Sequence, residues 1–200
     1  MRRLLNIPNT LTLSRILLTP LFIGLFFTEG WYWQYLALLV FGIASLTDKY
    51  DGHFARRDRT ATAFGRFLDP LADKILALSA FISFVMKGLV EAWLVWIILS
   101  REVIITSIRM YATCNGRQMT TSRLAKWKTT VQLSAILFSL IFINLKATFS
   151  GLRFHPSFFD NGWSYYLLNG STAAAMLLTV ISGVYYLLGG AYHHRAKTFN

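Results

Sequence analysis

The stretch T-D-K-Y-D-G-H-F-A-R-R-D-R-T-A-T-A-F-G-R-F-L-D-P-L-A-D-K, from Thr47 to Lys74, decides how the chain is read. Of nine acidic residues in the whole sequence, five fall here: Asp48, Asp51, Asp58, Asp69 and Asp73. All but Asp58 stand inside otherwise apolar helical patterns. Asp48 and Asp51 are three residues apart and share one face of a helix, and Asp69 and Asp73 are four apart on the next. A short connection joins the two helices, so they run antiparallel and their joined ends bring both pairs to one depth.

The surroundings are those of a membrane. The chain of 200 residues is 54% hydrophobic and 14% charged, with a mean hydropathy of +0.46. Its apolar residues form six blocks of membrane-spanning length, 11–28, 31–54, 64–86, 90–114, 124–147 and 164–190; about 20 apolar residues cross a bilayer core. The expected fold is therefore all-α, one membrane domain over residues 1–200 with six transmembrane helices. The loop-like stretch is 148–163, with Gly151, Pro156 and Gly162. Pro70 cannot donate to the carbonyl of Arg66, so a kink is expected in the third helix.

The net charge of +11 sits at helix ends. One set of connections carries Arg2, Arg3, Arg15, Arg56, Arg57, Arg59, Arg66, Arg117, Arg123, Lys126, Lys128, Arg195 and Lys197; the other carries Lys87, Lys146 and Arg153. The excess of Lys and Arg on cytoplasmic loops puts both termini, and the aspartates, on the cytoplasmic side. Contact with anionic lipid explains the same charges. No nucleic-acid motif accompanies them, so no nucleic-acid partner is expected. Trp31, Tyr32 and Trp33 suit an interfacial belt. Cys114 is the only cysteine, which rules out an intrachain disulfide.

An aspartate at mid-bilayer costs about 2.5–3.5 kcal/mol on insertion scales, and four close carboxylates also repel one another. Divalent metal offsets both. An all-oxygen donor set suits Mg²⁺, Mn²⁺ or Ca²⁺ rather than zinc, and four carboxylates can hold two ions in the arrangement that clamps a phosphoryl group. Gly52 and Gly65 leave room for a ligand at the backbone. Ala55 keeps space beside Arg56, whose fork can take a phosphate. The structural alternative is that each aspartate merely pairs with a cation such as Lys49 or Lys74.

The spacing D-x2-D-G-x2-A-R-x8-G-x3-D-x3-D, from Asp48 to Asp73, resembles the signature of the CDP-alcohol phosphatidyltransferases at every defined position. N-I-P-N-T-L-T-L-S-R before the first helix, R-E-V-I-I-T-S-I-R from Arg101 to Arg109, and K-W-K-T from Lys126 to Thr129 are also similar to the family, and to its bacterial branch that uses glycerol 3-phosphate. The resemblance implies a six-helix homodimer in the bacterial inner membrane with a cavity open to the cytoplasm. It implies that Asp48, Asp51, Asp69 and Asp73 ligate two divalent ions, Mg²⁺ or Mn²⁺, and that Asp73 is also the general base. It implies CDP-lipid contacts from Gly52, Arg56 and Thr62, with Asn9 and Thr12, in the same region as Ala55 and Gly65. The substrates it implies are CDP-diacylglycerol and glycerol 3-phosphate.

The acceptor's phosphate needs cations, and residues 101–128 hold the largest basic set outside the motif. Arg101, Arg109, Lys126 and Lys128 are the candidates. Arg101 stands beside Glu102 in an apolar run, and a purely structural Arg101–Glu102 pair is the alternative. Inositol phosphate, phosphatidylglycerol or serine as acceptor remain open, as does, in another class, a divalent-cation transporter. A transporter would need a pathway to both faces, whereas these acids keep to one.

Overall fold

In the computed structural model, the described residues are 7–54, 63–114, 123–151 and 162–196, with side chains described over 14–47, 74–112, 127–149 and 162–188. Six helices fill them: α1 (Ile7–Phe27), α2 (Trp31–Phe54), α3 (Ala63–Met86), α4 (Ala92–Cys114), α5 (Arg123–Gly151) and α6 (Trp163–Ala196). No strand occurs among the described residues. The all-α expectation holds, and the helices follow the apolar blocks closely. α5 runs on to Gly151, so the first part of the loop-like stretch 148–163 is helical. Residues 152–161 lie outside the described residues. α3 is one continuous helix through Pro70.

Contacts at one end of the bundle fix the topology. Lys87, just past α3, donates to the carbonyl of Phe26 at 2.6 Å and so caps the end of α1. The hydroxyls of Tyr35 in α2 and Thr148 in α5 lie 2.9 Å apart. The backbone N–H of Glu91 donates to Asn169 Oδ1 at 2.8 Å, joining the start of α4 to α6. The ends of α1, α3 and α5 therefore meet the starts of α2, α4 and α6. Consecutive helices are antiparallel, and Ile7, Phe54, Ala63 and Ala196 share the opposite end. The turn after α3 shows how the chain reverses. Gly88 takes φ of 66°, while Gly88 N–H and Leu89 N–H bond to the carbonyls of Val85 and Phe84, both at 2.9 Å. That double closure satisfies the last carbonyls of the helix and favours glycine.

The helices form two groups of three. α1 packs against both α2 and α3, and α6 against both α4 and α5; α2–α5, α3–α4 and α3–α5 contacts join the groups. Phe22, Phe26, Phe41, Phe81 and Phe84 are buried where α1, α2 and α3 meet. The Phe22–Phe41 and Phe26–Phe84 ring centroids are 5.5 and 5.6 Å apart, within the range of favourable aromatic pairs.

The outside is apolar as well. Leu39, Ile43, Trp96, Ile104, Leu177 and Ile181 all stand exposed. The segments Trp127–Phe149 and Trp163–Leu188 are long and apolar enough to cross a bilayer, and only 39% and 28% of their most apolar windows are buried within the bundle. A soluble core helix would hide that surface; here it faces outward, as in a membrane protein. Trp31, Tyr32, Tyr35, Trp163, Tyr165 and Tyr166 ring the end that carries Gly30, Gly88 and Gly162. Such a girdle suits a membrane–water boundary.

Candidate active site

Asp48 and Asp51 lie in the last turns of α2, and Asp69 and Asp73 in the first half of α3. These stretches belong to the end of the bundle shared by Ile7, Phe54, Ala63 and Ala196. The backbone thus brings both acidic pairs to one end, as their spacing required. Their side chains lie outside the described residues, as do those of Asn9, Thr12 and Lys126 and the surroundings of Gly52 and Gly65. Ala55, Arg56, Asp58 and Thr62 lie outside them altogether.

Beside the aspartates, the described side chains build a second feature. Lys74 directly follows Asp73 in α3. Its Nζ lies 3.1 Å from Glu102 Oε2 on α4 and bonds to the hydroxyl of Thr106. Glu102 Oε1 also takes Arg101 NH1 at 3.1 Å and the Nζ of Lys128 from α5. Thr106, one turn on, donates to the carbonyl of Glu102 at 2.6 Å. Glu102 is buried at 2% exposure and Lys128 at 5%. Three helices thus converge on one carboxylate.

Lys74, Arg101 and Lys128 thus share the single carboxylate of Glu102. The Arg101–Glu102 pair exists, but as part of a cluster of three basic side chains around one acid. Arg109, two turns along α4, adds a further cation; its guanidinium carbon lies 5.6 Å from the ring centroid of Tyr186 on α6, within cation–π range.

Arg101 has a second support. Its NH2 donates to Ser182 Oγ of α6 at 3.1 Å. The sequence assigned no chemistry to α6, and neither Lys74 nor Ser182 stood out as part of a phosphate site. Spacing within one helix reveals a shared face, but contacts across helices 26 to 81 residues apart leave no such periodic trace. Arg15, read from the sequence as a topology charge, is buried in α1 at 5% exposure. A signal for it existed in the N-I-P-N-T-L-T-L-S-R stretch that it ends.

An acidic motif on α2 and α3 beside a cluster of basic side chains from α3, α4 and α5 is an arrangement for handling phosphate. The family model for CDP-alcohol phosphatidyltransferase matches residues 5–185. The chain belongs to the CDP-alcohol phosphatidyltransferase family. Among its relatives in the family is the CDP-diacylglycerol–glycerol-3-phosphate 3-phosphatidyltransferase of Bacillus subtilis, 35% identical over 184 residues, which cover 82% of this chain and 95% of that one. The protein of the same name from Escherichia coli K12 is 34% identical over 153 residues, 74% of this chain and 83% of that one. That from Rickettsia typhi is 37% identical over 131 residues, 66% and 74% of the two chains. As a CDP-alcohol phosphatidyltransferase, the chain is an enzyme of phospholipid synthesis, and α6 up to Tyr185 falls within the family match.

Proposed function

We propose that the enzyme transfers the phosphatidyl group of CDP-diacylglycerol to glycerol 3-phosphate, releasing CMP and forming phosphatidylglycerophosphate. The observation that carries this reading is the convergence of Lys74, Arg101 and Lys128 on Glu102, with Lys74 one residue along α3 from Asp73. A phosphate monoester carries up to two negative charges near neutral pH, and consecutive Cα atoms are only about 3.8 Å apart. An acceptor whose phosphate lies among Lys74, Arg101, Arg109 and Lys128, with Lys126 nearby in sequence, brings its free hydroxyl toward Asp73. The names of the relatives agree with this assignment.

Asp48, Asp51, Asp69 and Asp73 would hold two divalent ions, Mg²⁺ or Mn²⁺. The donor set fits: every candidate is a carboxylate, each pair is one helical turn apart, and the two pairs stand on antiparallel helices at one end of the bundle. Bound there, the ions supply neutralisation of the diphosphate as its charge develops. Gly52, Arg56 and Thr62, with Asn9 and Thr12, hold the CDP group, while Ala55 and Gly65 keep room for it. Asp73 accepts the proton of the attacking glycerol hydroxyl. That oxygen bonds to the lipid-bearing phosphorus, the bond from this phosphorus to the oxygen bridging to the cytidine phosphate breaks, and CMP departs. The enzyme works as a homodimer embedded in the bacterial inner membrane through six spans, with both termini and the aspartates toward the cytoplasm. The outward apolar faces and the sorting of arginines support this placement.

Purified enzyme with CDP-diacylglycerol and a panel of acceptors tests the substrate. Glycerol 3-phosphate is expected to drive CMP release well above inositol phosphate, phosphatidylglycerol or serine; a stronger response to any of those reassigns the acceptor. Topology has its own test. In a Cys114→Ser background, Asp58→Cys is expected to react with a membrane-impermeant thiol reagent only when the cytoplasmic face is opened. Labelling from outside intact cells would invert the placement.

A further inference from the structure

Gly183 of α6 is buried, and what a side chain there would meet is unusual for a glycine in a membrane helix. Such glycines commonly let two backbones approach. At Gly183, a Cβ would lie 2.9 Å from Arg101 Nε, 3.3 Å from its Cγ and 3.6 Å from its Cδ. The missing side chain makes room for Arg101 itself. The preceding residue, Ser182, is 3% exposed and accepts the hydrogen bond from Arg101 NH2. On its other side the guanidinium is tied to Glu102. One turn further along α6, Tyr186 lies under Arg109.

We infer that Ser182 and Gly183 are positioning residues that set Arg101 in place for the acceptor's phosphate, an inference that rests on the acceptor assignment above. α6 thereby takes part in the reaction without touching substrate. Arg101 is a long side chain with many rotamers, and holding it in one place before the anion arrives lowers the cost of ordering it on binding. Its fork recognises phosphate only when correctly oriented. The serine supplies direction and the glycine supplies room.

The tests follow from which atoms yield. An alanine at 183 presses on the flexible part of an arginine, not on a backbone, so Arg101 shifts and the helix stays. Gly183→Ala is therefore expected to raise the KM for glycerol 3-phosphate roughly tenfold, and Ser182→Ala roughly fivefold, through a weakened charged contact. The KM for CDP-diacylglycerol and the melting temperature in detergent stay near wild type. Gly170→Ala, in the same helix but with nothing within 4 Å of the new carbon, changes neither KM. The decisive measurement repeats both α6 substitutions in an Arg101→Ala background, where there is no guanidinium to displace. Each effect is expected to vanish there, since residues acting through one another do not add.

Unchanged KM in both single variants overturns the inference. So does an effect that persists undiminished without Arg101, or an equal loss toward both substrates with a lowered melting temperature. Those results leave the acceptor assignment standing provided that Arg101→Ala alone raises the KM for glycerol 3-phosphate. A normal KM in Arg101→Ala overturns the acceptor assignment and this inference together.

Discussion

Asp48→Asn, Asp51→Asn, Asp69→Asn and Asp73→Asn are each expected to lower CMP release about a hundredfold or more while the protein still inserts and purifies. The magnitude follows from electrostatics: removing one preorganised group that stabilises developing charge costs about 10²–10³ in rate. Asparagine preserves shape and one oxygen but removes the charge that draws a divalent ion. Insertion should not suffer, because replacing a carboxylate with an amide lowers the cost of burial in the bilayer. Loss of activity together with better or equal expression is thus the signature of a metal ligand. An aspartate that only pairs with a lysine would show the opposite balance, with activity largely retained and stability reduced. The check is CMP release per milligram of purified enzyme, with thermal unfolding in detergent alongside. Near-normal turnover in two of the four variants would mean that the acidic set is not a metal centre.

The second large effect concerns the cation cluster. Arg101→Ala and Arg109→Ala are each expected to raise the KM for glycerol 3-phosphate roughly tenfold or more, since each hydrogen bond to a charged group contributes about 1.5–3 kcal/mol. Stability should hold in Arg101→Ala. Without Arg101, Glu102 still has Lys74 and Lys128 beside it. The reverse substitution sharpens the contrast. Glu102→Gln removes the carboxylate that Lys74, Arg101 and Lys128 share, so it is expected to lower the melting temperature markedly. Arg101→Lys should recover only part of the KM, because an ammonium cannot reproduce the planar fork. Michaelis constants for both substrates decide the matter. A purely structural cluster would make Arg101→Ala the less stable protein and leave the ratio of the two constants unchanged.

The helices were legible because the membrane leaves few choices. Apolar runs such as 31–54 and 90–114 are too long for soluble helices, and α2 and α4 occupy them almost residue for residue. Capping glycines mark the reversals, although only the structure shows that Gly30, Gly88 and Gly162 adopt left-handed backbone. The aspartate motif was legible for a similar reason: its spacing repeats at helical intervals on two neighbouring helices. The cation cluster was only half legible. Arg101 and Lys128 could be suspected from their charge in an apolar setting, but not that both would meet Lys74 at Glu102. Such convergence depends on how α3, α4 and α5 turn toward one another, which no single-helix period encodes. Ser182 and Gly183 were invisible for the same reason, since small residues are ordinary in membrane helices until the neighbour they face is known.

The most direct measurement follows a label from glycerol 3-phosphate into lipid. Purified enzyme in detergent with CDP-diacylglycerol should carry labelled glycerol 3-phosphate into the organic phase, one equivalent per CMP released, when Mg²⁺ or Mn²⁺ is present. Excess chelator should abolish the transfer, and re-added metal should restore it. Labelled lipid formed at full rate in chelator, or CMP released with no label entering lipid, would contradict the account.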